Sequence, residues 1–401
     1  MKLNKILLLV NVFLLQIYLI RFSIGSYPTN VQEILIGAQV IVFLIAMWRE
    51  RRLVQTIKNI PHHFVLLSLV VLAILATILN PIFDLLTLIR HAKFLFFAVL
   101  LVFMLLETFQ TSEERRAMMR IMGLGALLFG VFSFVYNVLG YNVAQDDRIL
   151  GPLDSAVYLG YYLTPFFLFF TFEAIERRKY SALIPAVILA ILILATRSMG
   201  SIAGSFIVIL LYLLKRSDLE ILKKRGVKMM LGFIFLAVFA AVFYTKILPT
   251  IQTRWSSLDE RFEIWSTSVE LLKNPRNDLL GLGFGQFQYH FIQTVDQVLG
   301  RKPLHYIILQ PHNFLLLFLF QFGLLGLIFI LYCLYRTIKG IVKLKPRDQT
   351  ELTWHLLLLY FFLHGFIDTP WFKNDLLFLF VLLLGLTVIE KAVHKDELPH
   401  F

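Results

Sequence analysis

Residues 312–332 read HNFLLLFLFQFGLLGLIFILY, and this stretch decides the fold class of the chain. After its first two residues, every position except Gln321 is aliphatic, aromatic or glycine. A helix needs about 20 mostly apolar residues to cross the hydrocarbon core of a bilayer, and this stretch is long enough. Similar runs recur along the whole chain, separated by short polar segments. The sequence therefore predicts an all-α, polytopic membrane protein.

Composition leads to the same class. Of the 401 residues, 58% are hydrophobic and only 16% are charged, and the mean hydropathy is +0.76. Such a chain has too little polar surface to coat a water-soluble globule. Because the apolar runs leave no room for a soluble domain of ordinary size, residues 1–401 are predicted to form one membrane domain. The single cysteine, Cys333, can form no intramolecular disulfide and is expected to be a packing residue.

About twelve spans can be placed between charged or turn residues. They cover residues 5–22, 31–48, 64–80, 94–109, 118–138, 156–173, 181–196, 201–214, 229–245, 312–332, 352–367 and 375–391. Twelve spans return both termini to the same side of the membrane. The first run shows no small-residue cleavage site before Phe22, so it is predicted to be a span and not a signal peptide.

The net charge of +12 sets the predicted orientation. The Lys and Arg residues form short clusters in alternate loops, for example between Arg49 and Lys58 and between Lys215 and Lys228. Cationic loops stay in the cytoplasm, so both termini are predicted to be cytoplasmic. A nucleic-acid partner would require the cations to share one face, and no such partner is predicted.

One outward loop, residues 246–311, is much longer than an ordinary connection, and such loops are usually functional or disordered. Ser257 and Glu260 have the spacing of a capping box, which predicts a helix from Leu258 to Lys273. Asn274-Pro275 then predicts its end. The turn 281–285 is rich in glycine but lacks the context of a nucleotide-binding loop, so its glycines are expected to serve turn geometry.

His312 is the first candidate for chemistry. It follows Pro311 and directly precedes an apolar span, which predicts a place at the positive end of a helix. That position disfavours the imidazolium form, and a neutral imidazole can take a proton from a hydroxyl group. The alternative is a histidine that only marks the membrane interface.

Arg261 is the second candidate. It lies one helical turn from Trp265, so the two side chains are expected on one face of the loop helix. The planar fork of an arginine there could clamp a phosphate. The alternative is a surface arginine paired with Asp259 or Glu263.

Arg197 and Arg148 complete the ionisable residues at the outward border, where a charge near lipid is costly and is a functional candidate by default. Arg197 interrupts an apolar stretch, but a snorkelling arginine at a helix end explains it equally well. Arg148 follows Asp146 and Asp147, which could simply neutralise it. These aspartates and Asp154 have no matching histidine, so metal-independent chemistry is predicted.

The ordered set of residues resembles the O-antigen ligase family, which includes related polysaccharide polymerases. The resemblance extends from about Tyr136 to the last span. The matching positions are Arg148-Ile149-Leu150-Gly151-Pro152, Thr196-Arg197-Ser198, Arg261, Trp265, Pro275, Gly281-Leu282-Gly283, Pro311-His312-Asn313-Phe314-Leu315, Gly323 and Gly326. In the family, Ser usually precedes the arginine that Arg197 matches, and Asn-Asp often follows the histidine.

The resemblance implies a glycosyltransferase with a fold of the GT-C type and no cofactor. Its donor would be a glycan linked to undecaprenyl pyrophosphate, and Arg197 and Arg261 would hold the pyrophosphate. His312 would activate the acceptor hydroxyl for inverting transfer. The possible supporting residues are Arg148, Trp265 and Asn313.

The same resemblance places the protein in the bacterial inner membrane, with its site on the periplasmic face. The acceptor would be lipid A-core or another glycolipid or glycan, as in lipopolysaccharide biosynthesis. A polysaccharide polymerase, which uses a second lipid-linked glycan as acceptor, shares the signature and stays open. A transporter or flippase is a more remote alternative, since it would predict internal repeats and ionisable residues near the middle of the membrane.

Overall fold

The computed structural model describes residues 2–25, 27–59, 63–142, 148–153, 155–177, 180–216, 255–344, 349–369 and 373–396. The chain is mostly helical, as the sequence predicts. The span predicted over 229–245 and the first part of the predicted long loop, 246–254, lie outside the described residues.

The helices follow the apolar runs. They are α1 (Lys2–Phe13), α2 (Val31–Arg49), α3 (Leu53–Asn59), α4 (Phe64–Leu79), α5 (Leu85–Thr108), α6 (Ser112–Val138), α7 (Ala156–Arg177), α8 (Tyr180–Thr196), α9 (Met199–Lys215), α10 (Trp255–Leu272), α11 (Pro275–Leu280), α12 (Phe287–Leu299), α13 (Phe314–Lys343), α14 (Gln349–Gly365) and α15 (Asn374–Asp396). A short 3-10 helix covers Leu15–Leu19. Two antiparallel strands, β1 (Arg21–Ile24) and β2 (Tyr27–Asn30), form a hairpin in which Arg21 pairs with Asn30.

This hairpin corrects the prediction for the N-terminal run. The sequence predicts one continuous span over 5–22, but α1 ends at Phe13. The backbone from Arg21 instead pairs with β2, so its main-chain hydrogen bonds are made across the hairpin.

Four of the described helices are long and apolar enough to cross a membrane, namely α2, α5, α6 and α13. The bent pair α3 and α4, which turns by 69°, makes five if it is counted as one span. Shorter apolar helices cover Ser181–Thr196, Met199–Lys215 and Asn374–Val388. The total of twelve spans stays a prediction.

The loop helix α10 begins earlier than predicted. It covers Trp255–Leu272, so Ser257 lies inside the helix and the predicted capping box at its start is wrong. The predicted end is confirmed, because the Asn274 side chain caps α11, whose first residue is Pro275.

The segment α10 to α12 has a small core of its own against the start of α13. The buried members are Ile264, Leu271, Leu282, Phe287, Phe291, Val295, Ile308 and Phe320. The contact is close where α13 kinks at Gly323 (φ 66°, ψ −160°), because a Cβ atom there would lie 2.3 Å from the carbonyl oxygen of Leu279. The Leu282 N–H donates to the Phe320 carbonyl at 2.7 Å. These contacts fix the loop segment beside the first turns of α13, which directly follow His312.

Candidate active site

Three segments of the chain meet at the carboxylate of Asp368, in the coil after α14. His312, in the coil before α13, places Nδ1 2.8 Å from Asp368 Oδ1. Arg261 on α10 places Nη2 3.6 Å from Asp368 Oδ2. The Nε–H group of Arg261 also donates to the carbonyl of Ile367 at 3.1 Å. The fold therefore brings Arg261 and His312 together around a shared carboxylate.

The backbone at His312 is strained. Its φ of 50° lies in the left-handed region, which residues other than glycine seldom adopt. Helix α13 begins at Phe314 with Asn313 as its N-cap, so Pro311 and His312 precede the helix and do not form its first turn. The Asn313 side chain accepts hydrogen bonds at 3.0 and 3.2 Å from two main-chain N–H groups of the first turn. The cap fixes the point at which the chain leaves the helix towards His312.

Hydrogen bonds on both sides hold the strained residue. The indole Nε1–H of Trp265 donates to the carbonyl of Pro311 at 3.1 Å. The Asn313 side-chain amide donates to the carbonyl of Phe366 at 3.2 Å. The first bond ties the coil of Pro311 and His312 to α10, and the second ties that coil to the one that carries Asp368. Trp265 and Asn313, predicted as possible supporting residues, each make one of these two bonds.

Charge and burial act against each other at His312 and Asp368. Burial lowers the pKa of His312, but the facing Asp368 carboxylate outweighs it and raises the pKa above its ordinary value. Burial would raise the pKa of Asp368, but the charges of His312 and Arg261 and the bond to the imidazole lower it to about 2. The prediction that the helix terminus disfavours the imidazolium is therefore wrong in direction, because Asp368 dominates.

The ionised carboxylate also selects the tautomer of the imidazole. An ionised Asp368 accepts hydrogen bonds only, so His312 presents Nδ1–H to it. In the neutral ring this leaves Nε2 with an unprotonated lone pair. The arrangement is that of a general base oriented by a carboxylate.

Sequence reasoning missed Asp368. It is 5% exposed and ends the sequence His364-Gly365-Phe366-Ile367-Asp368, just beyond an apolar helix. The rule that selected Arg261 and His312, an ionisable side chain at a predicted membrane border, applies equally to this aspartate. That rule is the signal that could have found it.

The turn that carries Arg197 lies next to the end of α14, which leads to Asp368. Arg197 is exposed between α8 and α9, with a φ of 48°. Three residues later, Gly200 lies against the ring of His364, where an added Cβ atom would be 2.6 Å from two ring atoms. The carbonyl of His364 in turn accepts from the Asp368 N–H at 3.1 Å. The turn that carries Arg197 is thus packed against the helix end that positions Asp368.

Arg148 lies beside that turn. It is half-buried, and the next residue, Ile149, donates its N–H to the carbonyl of Ala195 at 3.3 Å. Ala195 is two residues before Arg197, so the two predicted arginines lie on adjoining segments. The aspartates at 146, 147 and 154 lie outside the described residues. Metal-independent chemistry stays a prediction.

Comparison with known families gives one match. A family model described as O-antigen ligase matches residues 184–331. The match supports membership of the O-antigen ligase family. The matched segment includes Arg197, Arg261, Trp265 and His312, whereas Arg148 and Asp368 lie outside it. A search of curated proteins found no match.

The matched family indicates a class of activity at the family level. The O-antigen ligase family is associated with glycosyltransferases of the ligase and polymerase type, which use lipid-linked glycans and acceptors. Together with the apolar helices, the family match indicates a multi-pass membrane protein.

Proposed function

We propose that this protein belongs to the O-antigen ligase family and transfers a glycan from undecaprenyl pyrophosphate to an acceptor hydroxyl. The reaction takes place at the periplasmic face of the bacterial inner membrane, inverts the sugar C1 and needs no metal. The observation that carries the proposal is the contact of the His312 imidazole with Asp368, beside the Arg261 guanidinium. A base, its orienting carboxylate and a phosphate-binding group then share one site.

His312 acts as the general base. A sugar hydroxyl is a poor nucleophile until its proton is removed, and Nε2 of His312 accepts that proton as the oxygen attacks C1. The bond from C1 to the pyrophosphate oxygen breaks on the opposite side of the carbon, which inverts its configuration. Asp368 stabilises the imidazolium that forms, because its carboxylate lies 2.8 Å from Nδ1.

The arginines act on the leaving group. Undecaprenyl pyrophosphate gains negative charge as the glycosidic bond breaks, so fixed guanidinium groups stabilise the transition state more than the ground state. Arg261 is only 17% exposed and is held by Ile367 and Asp368, so little of its position must be organised during the reaction. Arg197 contributes from the neighbouring turn, with Arg148 beside it.

The acceptor is lipid A-core or a second lipid-linked glycan. The first makes the protein a ligase and the second makes it a polymerase. Deletion of the gene separates the two: loss of a ligase leaves full-length lipid-linked polymer, while loss of a polymerase leaves single repeat units.

The proposal is tested with the purified full chain in lipid nanodiscs, a labelled undecaprenyl-pyrophosphate glycan and a panel of acceptors, in the presence of a chelator. We expect His312→Ala to reduce turnover by about 10² to 10⁴ fold. His305→Ala is the control, because His305 is exposed in the same coil. Transfer that survives alanine at His312, Arg197 and Arg261 would contradict the mechanism, and strict dependence on magnesium would contradict its metal-free form.

A further inference from the structure

A pocket of about 350 Å³ opens beside α10, on the face next to the one that carries Arg261 and Trp265. We call it the α10 groove. Asp259, Phe262, Glu263 and Ser266 line it from one face of α10. Leu299, Arg301 and Leu304, at and after the end of α12, complete the lining. Ligand sites typically combine apolar walls with a few placed polar groups, and this volume lies at the lower end of their range of about 300 to 1,000 Å³.

The contacts of Glu263 hold part of the lining in place. Glu263 is 4% exposed, and its Oε2 accepts the Leu304 N–H at 2.8 Å. Its Oε1 lies 2.6 Å from Nη2 of Arg301, whose side chain is 57% exposed. A buried carboxylate is costly unless it is paired, so this pair holds the guanidinium at the rim of the pocket. Arg301 has five N–H donors, more than the pair with Glu263 uses.

The charges of the groove indicate what it can hold. The lining contains two carboxylates and one guanidinium, so a phosphate or another anion is disfavoured. The phenyl ring of Phe262, which is 61% exposed, adds an apolar surface to the same lining. A sugar ring has the matching chemistry: C–H groups on its faces and hydroxyls around its rim that donate to carboxylates and accept from a guanidinium.

The groove is physically linked to the candidate active site. The ring of Phe262 contacts Trp265 edge-on, with centroids 6.2 Å apart. Trp265 holds the Pro311 carbonyl next to His312, and Leu304 belongs to the coil that leads to His312. Binding of a remote part of a substrate can position the reacting part.

We propose that the α10 groove binds a hydroxyl-rich, uncharged segment of the glycan chain, away from the bond that reacts. The inference rests on the proposed glycosyl transfer and adds a subsite to it. Two chains have this chemistry, the glycan of the lipid-linked donor and the glycan of the acceptor.

Binding is measured without turnover. The probe is the oligosaccharide that mild acid releases from the cell's own lipid-linked glycan, titrated by saturation-transfer NMR against the full chain in nanodiscs. We expect saturable binding, with Kd at least tenfold higher in Phe262→Ala and in Arg301→Gln. Both side chains are largely exposed, so both variants are expected to fold. The control is Glu270→Gln, which removes an exposed ion pair with Lys273 on the same helix but outside the groove.

Kinetics then identify the source of the chain. A rise in KM for the donor alone assigns the groove to the donor glycan, and a rise for the acceptor alone assigns it to the acceptor glycan. No saturable binding, or equal Kd in the groove variants and the control, would overturn the inference. If the unchanged protein still transfers the glycan in that case and His312→Ala does not, only the inference about the groove fails. If the oligosaccharide binds in the groove but His312→Ala keeps full turnover, the proposed mechanism fails and the groove stands.

Discussion

Two ionic clusters occupy opposite ends of the helical bundle. At one end, Arg116 on α6 pairs with Glu176 on α7 across 2.5 Å, and both side chains are 4% exposed. At the other end, Asp368 lies between His312 and Arg261, which are 26% and 17% exposed. Both clusters bury a carboxylate, but only the second leaves its partners open to solvent.

The polar groups of the two clusters are also satisfied differently. Arg116 donates to Thr350 Oγ1 at 2.9 and 2.7 Å, and Glu176 accepts from Thr353 at 3.1 Å and from Tyr212 at 3.4 Å. Arg116 and Glu176 therefore have hydrogen-bond partners within the protein and little contact with solvent. The Asp368 cluster instead has a longer contact to Arg261 and a strained backbone at His312, and strain of this kind clusters at functional sites. From this difference we expect the first cluster to serve stability and the second to serve the proposed chemistry.

The largest effect is expected at Asp368. Asp368→Asn removes the charge that stabilises the imidazolium, and it allows His312 to adopt the other tautomer. We expect turnover per folded molecule to fall by about 10² to 10⁴ fold. Asp296→Asn is the control, because Asp296 is exposed on α12 and its side chain bonds only Tyr306 among the contacts described for it. Turnover close to that of the control would show that Asp368 is structural, like Glu176.

The reverse pattern is expected at Arg116. Arg116→Met leaves the buried Glu176 without its partner charge, and we expect the free energy of unfolding to fall by about 3 to 5 kcal/mol. Turnover per folded molecule should not change. Denaturant titration in detergent measures the first quantity, and the double variant Arg116→Met with Glu176→Leu should recover much of the loss.

An exposed ion pair at the same end provides the control for Arg116. Glu113 bonds Arg177, but its side chain is 69% exposed. Glu113→Gln should therefore cost no more than about 1 kcal/mol. An equal loss in the two single variants would contradict the assignment of stability to the Arg116 cluster.

The fold was predictable where hydropathy is a local property. The apolar runs at 31–48 and 64–80 became α2 (Val31–Arg49) and α4 (Phe64–Leu79), because a helix satisfies its own backbone within each run. The break after Phe13 was not predictable in this way. It depends on pairing between two strands, and apolar periodicity carries no information about that pairing.

The candidate site was predictable only in part, for a similar reason. Arg261 and His312 stand out locally, as charges or a histidine beside apolar runs. Their meeting point does not, because Asp368 is 56 residues from His312 and is brought there by the packing of α14 against α13. The raised pKa of His312 was not predictable for the same reason, because its cause is Asp368.

The pH dependence of turnover tests the effect of Asp368 on His312. The base form of His312 is lost as the pH falls through its pKa, which Asp368 raises above the ordinary value, so turnover should fall about tenfold per pH unit below that point. In Asp368→Asn the inflection should move to lower pH. The pH profile is measured from turnover at saturating substrate. An inflection that does not move would show that Asp368 does not set the pKa of the catalytic base.

The contributions of His312 and Asp368 to folding stability depend on pH in opposite directions. The folded pKa of His312 is raised, so its contribution is fully present below the ordinary pKa and is lost as the pH rises through the raised value. The folded pKa of Asp368 is lowered to about 2, so its contribution is present above the ordinary pKa and is lost as the pH falls towards 2.

The smallest effect is expected at Trp265, which acts on the active cluster only through the backbone. Trp265→Phe keeps the ring but removes the N–H that holds the Pro311 carbonyl, a bond worth about 0.5 to 1.5 kcal/mol. If that energy holds His312 in its strained conformation, turnover should fall by roughly twofold to tenfold. The pH inflection should stay in place, because the contact with Asp368 remains. Trp48→Phe, at a 72% exposed position on α2, is the control, and equal turnover in the two variants would show that this bond does not position the base.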